Sequence, residues 1–155
     1  MNNTDGAATK NPIKAAAGGI FRNSEGLCLG GFSQFLGNGN ALYAELFAAM
    51  NAIELASSMG FSNVWLESDS QLFILAFKSI SIVPWGLRNR WENCLKLTHN
   101  MRFCATHIYR EGNSCTDNLA NFGLTLSSLD LFWFDTVPDF VRGEYIKNRL
   151  GMPNF

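Results

Sequence analysis

Two short apolar runs near the start of the chain have a pattern typical of a β-hairpin. Residues 15–22 (AAAGGIFR) and 27–36 (LCLGGFSQFL) are rich in apolar and small side chains, and residues 23–26 (NSEG) form a glycine-containing connection of hairpin length. The four residues before Asp5 (MNNT) are long enough only for a stub of strand that ends at Asp5. The sequence therefore predicts that a sheet begins in this part of the chain.

Helical and strand patterns alternate after the hairpin. Residues 41–59 have the length and the alanine, leucine and glutamate content of a helix, with Asn40 as candidate N-cap and Gly60 just past the end. The later segments are a strand, two helices, a strand and a short helix, at residues 63–68, 71–80, 85–101, 104–110 and 115–124. This order predicts an α/β fold with a five-stranded mixed sheet, in which an antiparallel hairpin adjoins parallel strands and helices flank the sheet.

The sequence pattern divides the chain into a predicted domain and a shorter C-terminal extension. Residues 1–123 carry the alternating segments and are predicted to form the domain. Residues 124–155 contain an aromatic run at 131–137 (LFWFDTV) and a helical pattern at 140–150 (FVRGEYIKNRL). We expect this C-terminal extension to pack on the same domain.

Composition narrows the class of protein. A chain of 155 residues with 47% hydrophobic and 16% charged residues is typical of one globular domain. Twelve basic and thirteen acidic side chains give a net charge of -1, so a phosphate-bearing partner must be attracted by a local patch or a metal. The four cysteines have no CxxC spacing, and neither a signal peptide nor an apolar run of about 18 residues is present. We expect reduced thiols, an intracellular protein and no membrane partner.

Four carboxylates stand at the ends of predicted elements or inside an apolar helix face. Asp5 ends the first stub of strand, Asp69 follows the strand at 63–68, and Asp117 lies in the first turn of the last short helix. Glu45 interrupts a helical stripe whose other members are Leu42, Leu46, Ala49, Ile53 and Ala56. A buried carboxylate is costly unless it is paired, bound to a metal or placed at an open edge.

Strand direction brings two of these acids together. If the strands that carry Asp5 and Asp69 are parallel neighbours, both acids emerge at the carboxyl edge of the sheet, where α/β proteins commonly bind ligands. Four clustered carboxylates repel one another, and hard divalent cations with oxygen ligands remove that repulsion. The pattern therefore indicates a two-metal site suited to phosphodiester hydrolysis.

Simpler interpretations exist for each acid taken alone. Asp117 follows Ser114 at the spacing of a capping box, Asp5 with Gly6 can form a turn, and Asp69 can cap the helix after it. Glu45 has no comparable structural explanation. His107 alternates with its neighbours in a strand and is predicted to be a packed core residue.

The segments TDGAATKNP, ALYAELFAAMNAIELA, ESDSQ and YREGNSCTDNLANFGL, in this order, resemble the type 1 ribonuclease H domain, in particular the plant group related to retroelement reverse transcriptases. The resemblance implies a nuclease that cuts the RNA strand of RNA–DNA hybrids with two Mg²⁺ ions, for which Mn²⁺ can substitute. The catalytic and metal-binding quartet that it implies is Asp5, Glu45, Asp69 and Asp117. It further implies a monomer or a part of a longer polypeptide.

The resemblance also implies contacts with nucleic acid outside the quartet. The implied residues are Gly6, Lys10, Asn11, Ser70, Gln71, Arg110 and Asn113. Two departures stand out: residues 10–13 read KNPI where relatives commonly have GNPG, and residues 110–113 (REGN) lack the histidine of the bacterial enzymes. These departures leave open an alternative, a binding module for nucleic acid or protein that keeps the fold with little or no activity.

A basic and aromatic group on the third predicted helix allows two interpretations. Arg88, Arg90 and Lys96 lie beside Trp85 and Trp91 in the sequence. They can form a phosphate-binding face, or they can be the ordinary polar surface of an amphipathic helix.

Overall fold

The computed structural model describes residues 2–11, 13–136 and 138, apart from the side chains of residues 110 and 111. The strands are β1 (Asn2–Lys10), β2 (Ile13–Arg22), β3 (Cys28–Gly37), β4 (Asn63–Ser68), β5 (Arg102–His107) and β6 (Phe132–Phe134). The helices are α1 (Ala41–Ser58), α2 (Gln71–Lys78), α3 (Trp85–Thr98) and α4 (Ser114–Gly123), with short 3₁₀ turns at Ile80–Ile82 and Arg110–Asn113. The predicted helix at 140–150 lies outside the described residues.

The strands form one mixed sheet in the order β5-β4-β1-β2-β3-β6. β1 pairs in parallel with β4 and β4 with β5, whereas β2 is antiparallel to both β1 and β3. The mixed α/β architecture agrees with the prediction, but the sheet has six strands instead of five. The additional strand is β6, which lies in the predicted C-terminal extension and pairs with β3. The domain boundary at residue 123 stays a prediction.

The first strand is longer than the predicted stub. β1 continues past Asp5 to Lys10 because all nine of its residues pair with β2, down to the pair Lys10–Ile13. The prediction that the strand ends at Asp5 was therefore wrong. Asp5 is instead 4% exposed inside a paired strand.

Two glycines allow helices to approach the sheet closely from opposite sides. A Cβ on Gly6 would lie 2.5 Å from the backbone of Ala44 and Glu45 in α1, and a Cβ on Gly18 would lie 2.4 Å from Ala120 N in α4. Gly6 is paired with Ala17, the neighbour of Gly18, so the two glycines point to opposite faces of the sheet. α1 and α4 therefore cover opposite faces near Asp5.

The caps of α1 and α2 follow from the sequence. The Asn40 side chain accepts a hydrogen bond from Tyr43 N at 2.9 Å, as predicted, and Ser70 caps α2 by accepting from Phe73 N. The main core lies between the sheet and α1, α2 and α3, with Leu46, Ile53 and Trp91 fully buried. Within the described part of the chain, no helix combines the length and apolar character that crossing a membrane requires.

Candidate metal centre

The parallel pairing of three strands, β1, β4 and β5, stops in register at one edge of the sheet. The last pair between β1 and β4 is Thr4–Ser68, and the last pair between β4 and β5 is Ser68–His107. Asp5 and Asp69 are each the next residue after the Thr4–Ser68 pair. They therefore emerge side by side where the parallel pairing stops.

Glu45 joins these two acids from α1. One carboxylate oxygen from each of Asp5, Glu45 and Asp69 lies within 4.8 Å of the other two. The approach depends on Gly6, which leaves room for the α1 backbone at Glu45. The Gly6 N–H also donates to Asp5 Oδ1 at 2.9 Å. A hydrogen bond from the same N–H to the Glu45 carboxyl lowers the pKa of Glu45.

Burial gives this cluster unusual protonation behaviour. Burial, followed by the negative charge of Glu45, raises the pKa of Asp5 to about 10. Burial also raises the pKa of Glu45 to about 7, and the charge of Asp69 adds to this effect. The hydrogen bond between the two carboxyls raises the pKa of Asp5 and lowers that of Glu45, so the shared proton resides on Asp5.

Asp117 reaches the cluster from the opposite face of the sheet. It lies in the first turn of α4 and within hydrogen-bonding distance of the Asp5 carboxyl. Asp117 is not part of the 4.8 Å group, which contains only the other three acids among the described residues. The structure thus assembles three of the predicted quartet tightly, and it brings the fourth into contact with Asp5.

The capping-box interpretation of Asp117 does not hold. α4 begins at Ser114 itself, and the N-cap position is Asn113. Ser114 is therefore one residue too far into the helix for the predicted box. This leaves the Asp117 carboxyl directed towards Asp5.

The donor set fits a divalent cation. Three carboxylates offer the hard oxygen ligands that Mg²⁺ and Mn²⁺ prefer. Among the described residues, Glu45 Oε2 is buried and has no hydrogen-bond partner, an arrangement that costs free energy unless a cation or water occupies the site. The buried, mutually repelling carboxylates and this unsatisfied oxygen are both explained by a bound cation.

The predicted nucleic-acid contacts fall into separate places. Ser70 lines the cavity beside Asp69, and Gln71 is exposed at the start of α2. Lys10 and Asn11 are exposed where β1 ends, and Lys10 is five extended residues, roughly 16 Å, beyond Asp5. The expectation that Lys10 lies close to the acids was wrong, because β1 carries it away from them. Nucleic-acid contacts at Gly6, Ser70 and Gln71 stay predictions.

The last two predicted contacts lie in the loop before α4. The Asn113 side chain is 1% exposed and is used in internal hydrogen bonds, so it does not face a ligand. The assignment of Asn113 to nucleic-acid binding was therefore wrong. The side chain of Arg110 lies outside the described part of the structure, and its predicted contact stays a prediction.

His107 is a site residue that the sequence analysis missed. It is exposed at the end of β5, and its Nε2 lies 3.2 Å from the Asp69 carbonyl oxygen. The prediction that His107 is a core residue was wrong, because β5 is an edge strand of the described sheet. Its register opposite Ser68 is the signal that could have placed it beside Asp69.

An open cavity of about 330 Å³ lies in front of the acids. Glu45, Asp69 and Ser70 contribute its polar wall, and His107 and Tyr109 form an aromatic wall in which the two rings meet edge to face at 5.9 Å. The remaining lining residues are Ala41, Leu42 and Leu72. The cavity thus combines a carboxylate cluster with an apolar and aromatic rim.

The two arginines of the basic group on α3, Arg88 and Arg90, make contacts within the protein. Arg90 forms an ion pair with Glu54 and donates to Asn51 Oδ1 at 2.8 Å. Arg88 lies over the Trp85 ring at 4.2 Å and donates to the Val83 carbonyl. These contacts favour the interpretation of this face as amphipathic helix surface.

Comparison with known proteins gives a consistent family. The profile described as reverse transcriptase-like matches residues 3–123. A protein of Arabidopsis thaliana, whose name assigns it provisionally to ribonuclease H, is 33% identical over 160 residues. The match covers 96% of this chain and 24% of that protein, so the chain spans about a quarter of its relative.

Solved structures share the fold. Ribonuclease H1 from the halophilic archaeon Halobacterium salinarum superposes with a TM-score of 0.71 at 28% identity, covering 80% of this chain and 96% of the archaeal one. LC11 ribonuclease H1, isolated from compost and solved in complex with an RNA/DNA hybrid, superposes with a TM-score of 0.70 at 24% identity, covering 80% and 95%. The chain therefore belongs to the reverse transcriptase-like family, and its domain has the ribonuclease H-like fold.

Proposed function

We propose that this chain is a divalent-metal-dependent endonuclease that hydrolyses the RNA strand of RNA–DNA hybrids. The observation that carries the proposal is the cluster of Asp5, Glu45 and Asp69 at the ends of the parallel strands. The family membership and the relatives named ribonuclease H support the same reaction class.

The acids would share the work of holding two Mg²⁺ ions. Asp5 and Asp69, side by side beyond the last parallel strand pair, and Glu45 on α1 would supply carboxylate ligands. Asp117 would add a further carboxylate from α4. When bound, such ions lower the pKa of a water molecule and stabilise the negative charge of the leaving oxygen.

The protein's own groups have defined tasks in this reaction. Glu45 Oε2 is a buried acceptor without a partner among the described residues, so it is suited to orient the attacking water by hydrogen bonding. The proton on Asp5 must leave before that carboxylate can act as a ligand. The hydrolysis breaks the bond from phosphorus to the 3′ oxygen, leaving a 3′-hydroxyl and a 5′-phosphate.

The substrate would be recognised by shape instead of base sequence. The apolar and aromatic rim at Leu42, Leu72 and Tyr109 offers few hydrogen-bonding groups with which to read base edges. It can pack against sugars and bases of an A-form-like duplex, where 2′-hydroxyls distinguish RNA from DNA. The complex of LC11 ribonuclease H1 with an RNA/DNA hybrid supports this substrate class.

The proposal is tested by a cleavage assay with strand-specific labels. The purified chain is incubated with an RNA–DNA hybrid, double-stranded RNA and double-stranded DNA, with Mg²⁺, with Mn²⁺ and with EDTA. We expect cleavage of the RNA strand of the hybrid only, dependent on the metal. Asp69→Asn should keep the fold and lower the rate at least about 100-fold, because it removes a ligand charge. Hybrid cleavage that persists in EDTA, or in Asp69→Asn at the wild-type rate, would refute the proposal.

A binding module with little activity is the second candidate. It is favoured by the exposed position of Lys10 far from the acids and by the apolar residues Ala41 and Leu42 at the cavity rim, which leave few groups to hold the substrate for reaction. A thermal melt with Mn²⁺ separates the candidates, since a ligand that binds the folded state raises the melting temperature. A module would bind hybrid without a Mn²⁺-dependent shift and without cleavage.

A further inference from the structure

The contact between Asp5 and Asp117 needs a structural explanation. The two acids come from elements far apart in sequence, β1 and α4, and their carboxyls lie within hydrogen-bonding distance of each other. Two acids form no ion pair with each other, and their carboxylates repel once neither carries a proton, so this contact alone does not hold the helix in place. Another interaction must hold the start of α4 against β1.

The side chain of Asn113 provides that interaction. Its Nδ2 donates a hydrogen bond of 2.9 Å to the carbonyl oxygen of Thr4, the residue immediately before Asp5. Asn113 is 1% exposed and Thr4 is also 1% exposed, so the bond is shielded from water. It joins the loop before α4 directly to the strand that carries Asp5.

Thr116 extends the connection to the residue before Asp117. Its Oγ1 donates to Asn113 Oδ1 at 2.6 Å and also lies 3.1 Å from the Asn113 carbonyl oxygen. Thr116 is fully buried. The resulting chain of hydrogen bonds runs from Thr116 through Asn113 to Thr4, and each end is adjacent to one of the two acids.

Asn113 makes this connection instead of a conventional helix cap. Asparagine at the N-cap position normally accepts a hydrogen bond from a backbone N–H of the first turn. Asn113 is the N-cap residue of α4, yet its side chain makes no capping hydrogen bond. The side-chain amide instead donates to the Thr4 carbonyl oxygen in β1, and this bond joins the start of the helix to the strand that carries Asp5.

We infer that Asn113 is a positioning residue for the metal centre, which sets the separation of Asp117 from Asp5 through the hydrogen-bonded chain from Thr116 to Thr4. The inference rests on the proposed function, because it assigns this chain of bonds a role in metal binding. Residues that orient metal ligands without contacting the metal typically change metal affinity or activity 10–100-fold when replaced. Asn113 and Thr116 are expected to behave in this way.

A second anchor of α4 supplies a matched control. Ser33 Oγ donates to the Leu119 carbonyl oxygen at 2.6 Å and is fully buried, so it also ties α4 to the sheet. This bond joins α4 to β3, which β2 separates from β1 in the sheet. Ser33→Ala therefore removes one buried hydrogen bond to the same helix without touching the connection to β1.

The experiment compares Asn113→Ala, Thr116→Val, Thr116→Ser and Ser33→Ala with the wild type. Mn²⁺ affinity is measured by calorimetry, kcat and KM are measured on an RNA–DNA hybrid, and the melting temperature is measured in EDTA. Asn113→Ala should weaken Mn²⁺ binding about tenfold and lower kcat about 10–100-fold, with KM for the hybrid changed less than about twofold. Thr116→Val should show the same pattern more weakly, and Thr116→Ser, which keeps the hydroxyl, should restore it.

The control separates positioning from general stability. Ser33→Ala should lower the melting temperature yet leave Mn²⁺ affinity within about twofold of the wild type. Equal losses of Mn²⁺ affinity in Asn113→Ala and Ser33→Ala, or unchanged affinity in Asn113→Ala, would overturn the inference while leaving the proposed function intact. If Asn113→Ala does not fold, the Thr116→Val and Thr116→Ser pair decides the question. A folded wild type that binds no Mn²⁺ would overturn the proposed function and this inference together.

Discussion

Replacing Asp5 by asparagine should stabilise the metal-free protein. Asp5 is 4% exposed, and its pKa is raised to about 10 by burial first and by the charge of Glu45 next. At pH 7 the folded protein therefore holds a proton on Asp5 that the unfolded chain loses. Asparagine has nearly the same shape as the protonated carboxyl and carries no proton to take up. It can still accept from Gly6 N–H and donate to Glu45.

The magnitude follows from the difference between the two states. At about 1.4 kcal/mol per pH unit, the interval from the ordinary value of 3.8 to pH 7 corresponds to about 4 kcal/mol. Structural relaxation and water entry lower this cost, so we expect a gain of about 2–4 kcal/mol. For a chain of this length, that gain raises the melting temperature by roughly 5–15 °C.

The sign of the pH dependence is fixed by the same reasoning. Because the folded state binds more protons than the unfolded state above about pH 4, wild-type stability falls as the pH rises towards the folded pKa. The gain in Asp5→Asn should therefore be near zero at pH 4 and grow steadily to pH 8.

The assay is thermal and urea unfolding in EDTA at pH 4 to 8. Glu25→Gln, which removes a charge from the exposed hairpin turn, serves as the control and should change stability by less than about 0.5 kcal/mol. If Asp5→Asn were no more stable than the wild type at pH 7, or if its gain in stability were the same at every pH, the raised pKa of Asp5 would be refuted.

Three further predictions concern the same edge of the sheet. Mn²⁺ affinity should rise with pH between about 6 and 8, because the cation must displace the proton on Asp5 and compete with the proton on Glu45. Calorimetry in buffers of different ionisation enthalpy should detect the released proton, and an affinity that does not change with pH would contradict this prediction. Gly6→Ala should destabilise the protein by about 1–3 kcal/mol, because the new Cβ would lie 2.5 Å from the α1 backbone. Gly86→Ala, which has open space around the new Cβ, should be neutral or stabilising by about 0.5 kcal/mol. Equal melting temperatures for the two variants would contradict this prediction. Tyr109 is 81% exposed at the cavity rim, so Tyr109→Ala should raise KM for the hybrid roughly 5–20-fold through lost stacking, with Mn²⁺ affinity unchanged. Tyr109→Phe should stay close to the wild type, and an unaltered KM in Tyr109→Ala would rule out this contact.

The meeting of Asp5 and Asp69 could be predicted because it follows from strand direction alone. Parallel neighbours end at the same edge of a sheet, whatever their exact register. Glu45 was also predictable, because a carboxylate inside an apolar helical stripe has few structural explanations. These three acids form the cluster in the structure.

Features that depend on long-range pairing were not predictable from local patterns. β1 extends to Lys10 because β2 pairs with it throughout, although the residues after Asp5 are small or polar. β6 has only three residues, and it is held by pairing with β3, where Trp133 fits against Gly30. Neither partner can be inferred from a short window of sequence.

Polar residues near the site were misassigned for a related reason. His107 alternates like a core residue, but only the position of β5 at the sheet edge determines that it is exposed. Asn113 resembles an exposed loop residue, yet its hydrogen bond to Thr4 buries it. Burial of a polar side chain depends on its tertiary partner, which the local pattern does not reveal.

The central claim is that Asp5, Glu45 and Asp69 act together as a divalent-cation site. The most direct test is calorimetric titration of Mn²⁺ into the wild type, Asp69→Asn and Asp130→Asn, which removes an exposed carboxylate elsewhere. We predict saturable binding to the wild type and to Asp130→Asn, and at least about tenfold weaker binding to Asp69→Asn. A folded wild type without saturable binding at millimolar Mn²⁺, or equal affinity in Asp69→Asn, would contradict the claim.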